Sequence, residues 1–339
     1  MTYEEIRAQS LSHWEELNNG ETPLVRIGTA MCGHAAGGFR VKEALQADLQ
    51  AKNIRANINE VGCLGICYAE PIVDIKKPGR SRILLRNVQP DEVGQLVEDY
   101  LSNDNLPEGT LGYLGSEGPI GSETSFDEIP GIALQQRIAL RNGGHIAPDD
   151  ILQYVALGGY DGLNKALNTL EPSDVIEEVK KSGLRGRGGA AFPTGVKWSF
   201  LVGSPGPTKY ILCNCEEGDP GAYNDKGILE SDPYTLLEGL TIAGYATGAS
   251  NGIVFIRHGH DGPIDRTEKA IEQAYKHGLL GKNILGSEFS FDIEVALTGE
   301  SYVAGEETAL MEAVEGLSLI HISEPTRRTP ISYAVFCLK

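Results

Sequence analysis

The chain has 339 residues and is acidic, with 47 Asp and Glu against 29 Lys and Arg and a formal net charge of −18. This charge excludes nucleic acid as a general partner, because phosphates repel an acidic surface. No apolar run approaches the roughly 20 residues that span a bilayer, and the acidic, polar residues 1–5 are unlike a secretory signal. We therefore expect a cytoplasmic protein without a membrane span, whose six cysteines are reduced thiols or metal ligands.

The first hundred residues alternate between helix and strand patterns, which predicts a small α/β domain. Helices are predicted over 4–18, 41–52 and 91–101, and strands over 24–28, 54–61, 71–75 and 81–85. A segment rich in Gly, Pro, Ser and Glu follows and indicates a linker. We expect an N-terminal helix over 1–20, a domain over 21–104 and a linker over 105–147.

The next part of the chain repeats the alternation on a larger scale and is expected to form a second domain over 148–316. Helices are predicted over 149–157, 162–169, 236–247 and 264–277, and strands over 209–213, 252–256 and 291–297. A further helix is predicted from Ser173, with this serine as its N-cap. Strands separated by helices predict a parallel, Rossmann-like sheet.

Residues 182–198 contain five glycines, two arginines and a lysine in one turn-rich run. Glycine lets the backbone come close to a ligand, and backbone N–H groups in such loops can cradle phosphate oxygens. Arginine and lysine add the positive charge that a bound anion requires. A flexible linker is the weaker interpretation, because Phe192, Pro193 and Trp198 are stiff or bulky.

Three cysteines of the first domain could bind iron. Cys63 and Cys67 flank a loop with a central glycine, which can bring both sulfurs to one iron of a cluster, and Cys32 follows the first predicted strand. A [2Fe–2S] cluster normally needs four ligands, and small buried thiols are an equally good interpretation of these residues alone.

Four motifs resemble known families. Residues 61–71 resemble the second ligand loop of thioredoxin-like [2Fe–2S] ferredoxins. Residues 182–198, 214–226 and 299–310 resemble, in this order, three loops of the NADH-oxidising FMN flavoprotein subunit of respiratory complex I. The fusion of a ferredoxin-like domain at the N-terminus is similar to that in the diaphorase-type subunits of NAD(P)-linked hydrogenases, which are often electron-bifurcating. The same fusion is found in the diaphorase-type subunits of NAD-dependent formate dehydrogenases.

The resemblance implies an α/β fold: a thioredoxin-like ferredoxin domain followed by an incomplete Rossmann-like FMN/NADH-binding domain. It implies an NADH:acceptor oxidoreductase in which NADH transfers a hydride to FMN. Electrons then leave singly for iron–sulfur clusters and the iron–sulfur subunits of a hydrogenase, a formate dehydrogenase or a complex I-like assembly. The flavin carries the chemistry, so no protein nucleophile or general base is required.

The resemblance also implies the site residues. Those expected to bind FMN or NADH are Gly186, Arg187, Gly188, Gly189, Phe192, Lys197, Phe200, Asn214, Glu216, Glu217, Gly218, Asp219, Tyr302, Gly305, Glu306 and Glu307. The metal ligands implied are Cys32, Cys63 and Cys67, a set one short because the first ligand loop has one cysteine where the full pattern has two. A [4Fe–4S] cluster is expected only in a segment beyond Gly316.

Other interpretations remain open for several residues. Without the motifs, the paired glutamates at 216–217 and 306–307 would be solvated turns or helix N-termini. Cys213 and Cys215 are predicted to be buried thiols that cannot easily share a metal, and the histidines at 258 and 260 to be loop residues. The alternative functions are a non-enzymatic electron carrier or assembly module, or an inert fragment.

The C-terminal residues differ in character from the rest. Residues 317–327 and 331–339 resemble the in-frame translation of a transposon-type sequencing adapter, and 328–330 lie where its variable index would fall. We interpret 317–339 as non-native and expect the natural protein to continue past Gly316.

Overall fold

The computed structural model describes residues 1–115, 124–219, 221–298 and 302–317, without the side chain of Tyr302. The chain divides into two units: residues 2–159 with 230–234, and residues 160–229 with those described from 235 to 317. Residues 299–301 of the third motif and nearly all of the adapter-like segment, 318–339, lie outside the described residues. None of the described helices combines the length and the apolar character of a membrane span.

The first unit surrounds a five-stranded sheet. Its main elements are α1 (Tyr3–Asn19), β1 (Leu24–Gly28), α2 (Met31–Ala36), α3 (Gly38–Ala51), β2 (Asn57–Val61), β3 (Val73–Lys76), β4 (Arg82–Leu85), α4 (Val93–Leu96), which continues as a π-helical turn over Val97–Ser102, β5 (Thr110–Leu114) and α5 (Ile151–Ala156). Thr2 caps α1, since its hydroxyl accepts from Glu5 N while the Glu5 carboxylate accepts from Thr2 N.

The topology of this sheet is that of a thioredoxin-like domain. The strand order is β2-β1-β3-β4-β5, with β1 and β2 parallel and the remaining neighbours antiparallel. Helix α3 joins the parallel pair and buries Val41, Leu45 and Leu49, which its i, i+4 spacing places on one face. The expected fold of this part of the chain is confirmed.

The predicted linker, 105–147, contributes to the first unit. It contains β5, which pairs with β4, and its buried side chains Phe126 and Ile129 pack with Ile66 and Leu84 in one hydrophobic cluster. A turn-rich composition therefore does not exclude a short edge strand. The strand forms by pairing with β4, which lies far away in sequence, so its own composition need not indicate it.

Four polar side chains form a buried network in the same unit. Asp74 on β3 accepts hydrogen bonds from Arg26 on β1, at 3.5 Å, and from Arg82 on β4. Arg82 Nη1 also lies 3.0 Å from His145 Nδ1. Burial and the neighbouring arginines lower the pKa of His145 to about 3, so this imidazole is neutral in the folded protein.

The second unit contains a parallel sheet and most of the remaining helices. Its main elements are α6 (Asp161–Thr169), α7 (Pro172–Ser182), α8 (Thr194–Gly203), β6 (Tyr210–Cys215), α9 (Asp225–Ser231), α10 (Pro233–Thr247), β7 (Asn251–Arg257), α11 (Asp261–Lys276), β8 (Asp292–Thr298) and α12 (Glu307–Val314), with the first-unit residues 230–234 falling at the end of α9 and the start of α10.

The described strands of this sheet are all parallel, in the order β6-β7-β8, with helices between consecutive strands. The predicted Rossmann-like α/β arrangement is confirmed. The predicted N-cap Ser173 is wrong: α7 begins at Pro172, and Glu171 is its N-cap. The physical reason is that proline suits the first helical position, where its missing N–H costs nothing.

Candidate functional site

The glycine run forms a closed loop between α7 and α8. Gly183 ends α7 in the left-handed conformation. The loop is then closed by backbone hydrogen bonds, 2.9 Å from Gly186 N to Phe192 O and 2.9 Å from Thr194 N to Leu184 O. The residues between are exposed, so their backbone amides can face a ligand.

There is room at the tip of this loop. A Cβ atom added at Gly188 or Gly189 would meet no protein atom within 4 Å. Arg185 Nη1 donates to Ala191 O at 3.0 Å and holds the two sides of the loop together, while the side chain of Arg187 is exposed. An open glycine tip beside an arginine suits a phosphate group.

The second motif lies at the carboxyl ends of β6 and β7, the edge at which parallel sheets usually bind ligands. The Asn214 amide donates to Gly305 O at 2.8 Å, and the Asn214 side-chain oxygen accepts from Glu216 N at 3.1 Å. Arg257, at the end of β7, donates to the nearly buried Glu216 carboxylate at 2.8 Å.

Two motif glycines lie close to the Glu216–Arg257 pair. A Cβ atom at Gly305 would lie 2.9 Å from the Glu216 carboxylate, and one at Gly218 would lie 3.0 Å from the Arg257 guanidinium. A side chain at either position would press on the ends of the Glu216 and Arg257 side chains, which would have to shift to admit it.

Glu217 and Asp225 connect the second motif to α9. The Glu217 carboxylate accepts from the backbone amides of Asn224, Asp225 and Lys226, at 2.6, 3.3 and 3.0 Å, and so satisfies the start of the helix. Burial and the charges of Glu217 and Glu216 raise the pKa of Asp225 to about 6. Asp219 has a local role as well, since its carboxylate accepts from Gly221 N at 3.1 Å.

The third motif contacts the first two. Lys197 on α8 pairs with Glu307, and the amide of Asn214 binds Gly305 O. Glu306 is the N-cap of α12 and accepts from Thr308 N and Ala309 N, each at 3.0 Å. The backbone of Tyr302 belongs to a 3-10 turn over Tyr302–Gly305.

The two predicted aromatic residues of the site are neighbours. The rings of Phe192 and Phe200 have centroids 6.2 Å apart at 50°, and Phe200 is 63% exposed. This partly exposed aromatic pair beside the glycine loop offers a surface on which a planar ring can stack.

The three predicted iron ligands converge in the first unit. The sulfurs of Cys63 and Cys67 are 3.9 Å apart, and Gly65 N donates to Cys63 Sγ at 3.1 Å. Burial raises the pKa of Cys32 to about 11, with a further contribution from a hydrogen bond to Cys67. In the described ranges, no three or more His, Cys, Asp or Glu side chains surround a position for a single metal ion. The assignment of Cys32, Cys63 and Cys67 as ligands of a [2Fe–2S] cluster therefore stays a prediction.

Sequence reasoning missed Arg257 and Asp225. The available signal for Arg257 was its place at the carboxyl end of a predicted parallel strand.

His260, predicted as a loop residue, lies just beyond the same strand, and its Nδ1 is buried without a hydrogen-bond partner in the described structure. Charges of Lys226 and Arg257 add to burial in lowering the pKa of His260.

Cys215 is a buried thiol as predicted, whereas Cys213 is partly exposed. Residues two apart on a strand face the same side, and the two sulfurs lie 3.6 Å apart on β6.

Comparison with known proteins gives a direct result for the second half of the chain. Residues 179–337 match the family model of the Nuo51 FMN-binding domain. The resemblance predicted from the three motifs is thereby confirmed. The matched range includes most of the adapter-like segment, so it does not separate that segment from the rest.

Curated relatives agree with this match. The NADP-reducing hydrogenase subunit HndC of Solidesulfovibrio fructosivorans is 48% identical over 196 residues, which cover 58% of this chain and 39% of the relative. An NADH-quinone oxidoreductase subunit of Aquifex aeolicus is 49% identical over 164 residues, covering 48% and 38%. The chain thus spans about two fifths of the length of these relatives.

Solved structures cover the chain more widely but with lower similarity. An NAD⁺-reducing [NiFe]-hydrogenase in the H₂-reduced state is 22% identical, covers 92% of this chain and 49% of its own, and has a TM-score of 0.41. A thioredoxin-like [2Fe–2S] ferredoxin from Aquifex aeolicus is 19% identical, with coverage of 29% and 98% and a TM-score of 0.26.

Proposed function

We propose that the protein is an NADH:acceptor oxidoreductase subunit that binds FMN and NADH in the second unit. The observation that carries the proposal is the direct connection of three motifs far apart in sequence. Asn214 contacts Gly305, and Lys197 contacts Glu307, beside a glycine loop with open space at its tip. These contacts support the proposal that the three motifs form one FMN site.

The roles proposed for the residues follow their positions. The backbone of Gly186 to Gly189 and the Arg187 charge would hold phosphate groups, and Lys197 would hold the flavin by charge. Phe192 and Phe200 would stack on the adenine side of NADH, and Asp219 would lie near its nicotinamide end. The residues proposed to face the isoalloxazine and ribityl groups are Asn214, Glu216, Glu217, Gly218, Tyr302, Gly305, Glu306 and Glu307.

FMN, when bound, supplies hydride acceptance and single-electron release. The chain supplies position and charge. Arg257 holds Glu216 in one orientation, and the Asn214 amide fixes the turn that carries Gly305. Glu217 and Glu306 accept backbone amides at the starts of α9 and α12 and so help to fix the two turns that flank the site. No protein group needs to form a covalent bond to substrate.

We further propose that Cys32, Cys63 and Cys67 supply three ligands of a [2Fe–2S] cluster in the first unit. The electrons would pass to iron–sulfur subunits of a hydrogenase, a formate dehydrogenase or a complex I-like assembly in the cytoplasm. The relative named as a hydrogenase subunit and the relative named as an NADH-quinone oxidoreductase subunit support this partner class. A [4Fe–4S] cluster beyond Gly316 remains a prediction.

The test is FMN binding by the chain purified without air. We expect flavin absorbance that NADH bleaches. Gly188→Ala should weaken FMN binding about tenfold, because the methyl group enters the space left for the ligand, a change of ~1.4 kcal/mol. Gly239→Ala on α10, where an added Cβ also meets nothing, is the matched control. A folded but colourless chain that neither binds FMN nor reacts with NADH would refute the proposal.

A further inference from the structure

His260 lies just beyond the carboxyl end of β7, at the edge of the sheet that carries the second motif. Its backbone N–H donates to Arg257 O at 3.3 Å, and its carbonyl accepts from Ile264 N at 3.0 Å in the first turn of α11. The side chain is partly buried, and none of the roles proposed above uses it. Since parallel sheets bind their ligands at this edge, an imidazole held here is in a position to contact one.

The two ring nitrogens of His260 have different surroundings. Nδ1 is buried and Nε2 is accessible to solvent, and neither makes a hydrogen bond to the described residues. Burial and the charges of Lys226 and Arg257 lower the pKa of this imidazole, which favours the neutral ring. A buried N–H without an acceptor is rarer in proteins than a buried acceptor without a donor. The neutral ring therefore carries its proton on Nε2, where a ligand can reach it.

The charges around His260 do not favour a phosphate group. Its charged neighbours are two cations and two anions: Lys226, Arg257, Glu217 and Glu216. Asp225 adds a third carboxylate beside the two glutamates. Because this surrounding has no excess of positive charge, it suits an uncharged oxygen better than a phosphate, which requires cations.

The polar side chains of the second motif are already engaged with the protein. The Asn214 amide donates to Gly305 O, and its oxygen accepts from Glu216 N. Both Glu217 oxygens accept backbone amides at the start of α9. His260 Nε2 has no such engagement among the described residues. It can therefore donate to a carbonyl or hydroxyl oxygen of a ligand placed against this motif.

We propose that His260 is a further flavin-binding residue, which donates a hydrogen bond from Nε2–H to an uncharged oxygen of the isoalloxazine or ribityl part. This inference rests on the proposed function, in which the flavin lies against Glu216 and Glu217. The contact supplies affinity and orientation, and the imidazole keeps its proton. Riboflavin lacks the phosphate of FMN but has the same isoalloxazine and ribityl groups, so loss of the contact weakens both ligands equally.

The experiment measures the dissociation constants of FMN and of riboflavin, by flavin fluorescence, on the full chain purified without air. His260→Phe keeps a planar ring without the donor and should weaken both ligands about five- to tenfold. His260→Gln should stay within about threefold of the parent, because its amide N–H reaches the place of Nε2. The shorter His260→Asn should bind as weakly as His260→Phe. His258→Phe, which changes an exposed histidine of the same loop, should change neither constant.

A second measurement does not depend on flavin. Long-range ¹H–¹⁵N spectra of the labelled chain, with the His260 signals assigned by their loss in His260→Gln, should show a neutral ring protonated on Nε2 at pH 7. A ring that is charged or protonated on Nδ1 at this pH would overturn the inference.

The binding data separate this inference from the proposed function. A parent chain that binds FMN, together with a folded His260→Phe that binds it equally well, would overturn the role of His260 alone. So would a variant that weakens FMN but not riboflavin, since the contact would then be to the phosphate. A parent chain that binds neither flavin would refute the proposed function, and the inference with it.

Discussion

At the scale of single residues, charge in this protein is used mainly to hold backbone and other charges in place. Glu217 and Glu306 satisfy helix starts, Arg257 fixes Glu216, and Asp74 lies between two arginines. Charged side chains, which often act in catalysis, thus serve here to hold backbone amides and other charges in place. This use is expected in a site where a cofactor performs the reaction.

His145 gives the first prediction, on pH dependence. Its pKa in the folded protein is lowered to about 3 by burial and by Arg82, Arg26 and Arg137, while in the unfolded chain it titrates at an ordinary value of about 6.5. Between these values the unfolded state binds more protons, so the free energy of unfolding falls as pH falls, by at most about 1.4 kcal/mol per unit.

His145→Gln should remove this contribution. Urea unfolding at pH 6.5 and pH 5 should show a loss about 1–2 kcal/mol smaller in the variant than in the parent. His258→Gln, which changes an exposed histidine, should behave like the parent. The opposite titration of Asp225, whose pKa is raised, is common to all three proteins. Equal pH slopes for parent and His145→Gln would contradict the assignment.

At the scale of elements, the glycine loop depends on where α7 stops. Gly183 ends the helix with φ of 68°, in the left-handed region that favours glycine. The backbone bridge between Arg185 and Pro193 then closes the loop. The direction in which the loop projects is therefore set by the helix end as well as by its own glycines.

Gly183→Ala should lower the free energy of unfolding of the second unit by about 1 kcal/mol, because alanine is strained at positive φ even though an added Cβ would meet no atom within 4 Å. Gly188→Ala has the same free space without a positive φ and should change stability by only a few tenths of a kcal/mol. Thermal unfolding of the two variants checks the contrast. Equal midpoints would show that alanine is not strained at position 183.

Elements were predictable where their signal is local. The buried positions Val41, Leu45 and Leu49 mark α3 at helical spacing, and the structure begins this helix only three residues before the predicted start. Strand β5 was missed because its five residues become a strand only through pairing with β4. The order of Pro172 and Ser173 misled the N-cap prediction, since both are start signals and proline took the first helical position.

In the candidate site, too, the local features could be predicted from the sequence and the long-range contacts could not. The glycine loop and the motif order could be predicted, because each motif is continuous in sequence. The partner of Glu216 could not, since the parallel pairing of β6 with β7 brings Arg257 to it across 41 positions. Neither could Gly305 as the partner of Asn214, because it lies 91 positions away, in the turn beyond β8. Cys213 and Cys215 are different: period-two alternation was already enough to place their sulfurs on one face.

At the scale of the whole molecule, the first unit is discontinuous in sequence. Residues 230–234 belong to it although the preceding and following segments belong to the second unit. Glu230 accepts a hydrogen bond from Met31 N at 2.9 Å, directly before Cys32, and Asp232 accepts from the Asn142 amide at 2.8 Å. The cysteine-containing unit thus depends on residues about 70 positions beyond its main segment.

Asp232→Ala tests this dependence. Asp232 is 1% exposed and Asn142 6%, so removing the carboxylate leaves a buried amide without this acceptor, at a cost of about 1–3 kcal/mol. Hydrogen exchange should show the loss of protection in β1 and β3 of the first unit. Asp265→Ala removes an exposed carboxylate paired with Lys269 on α11 and should cost less than about 1 kcal/mol. If first-unit protection is unchanged in Asp232→Ala, the Asn142–Asp232 hydrogen bond does not stabilise the first unit.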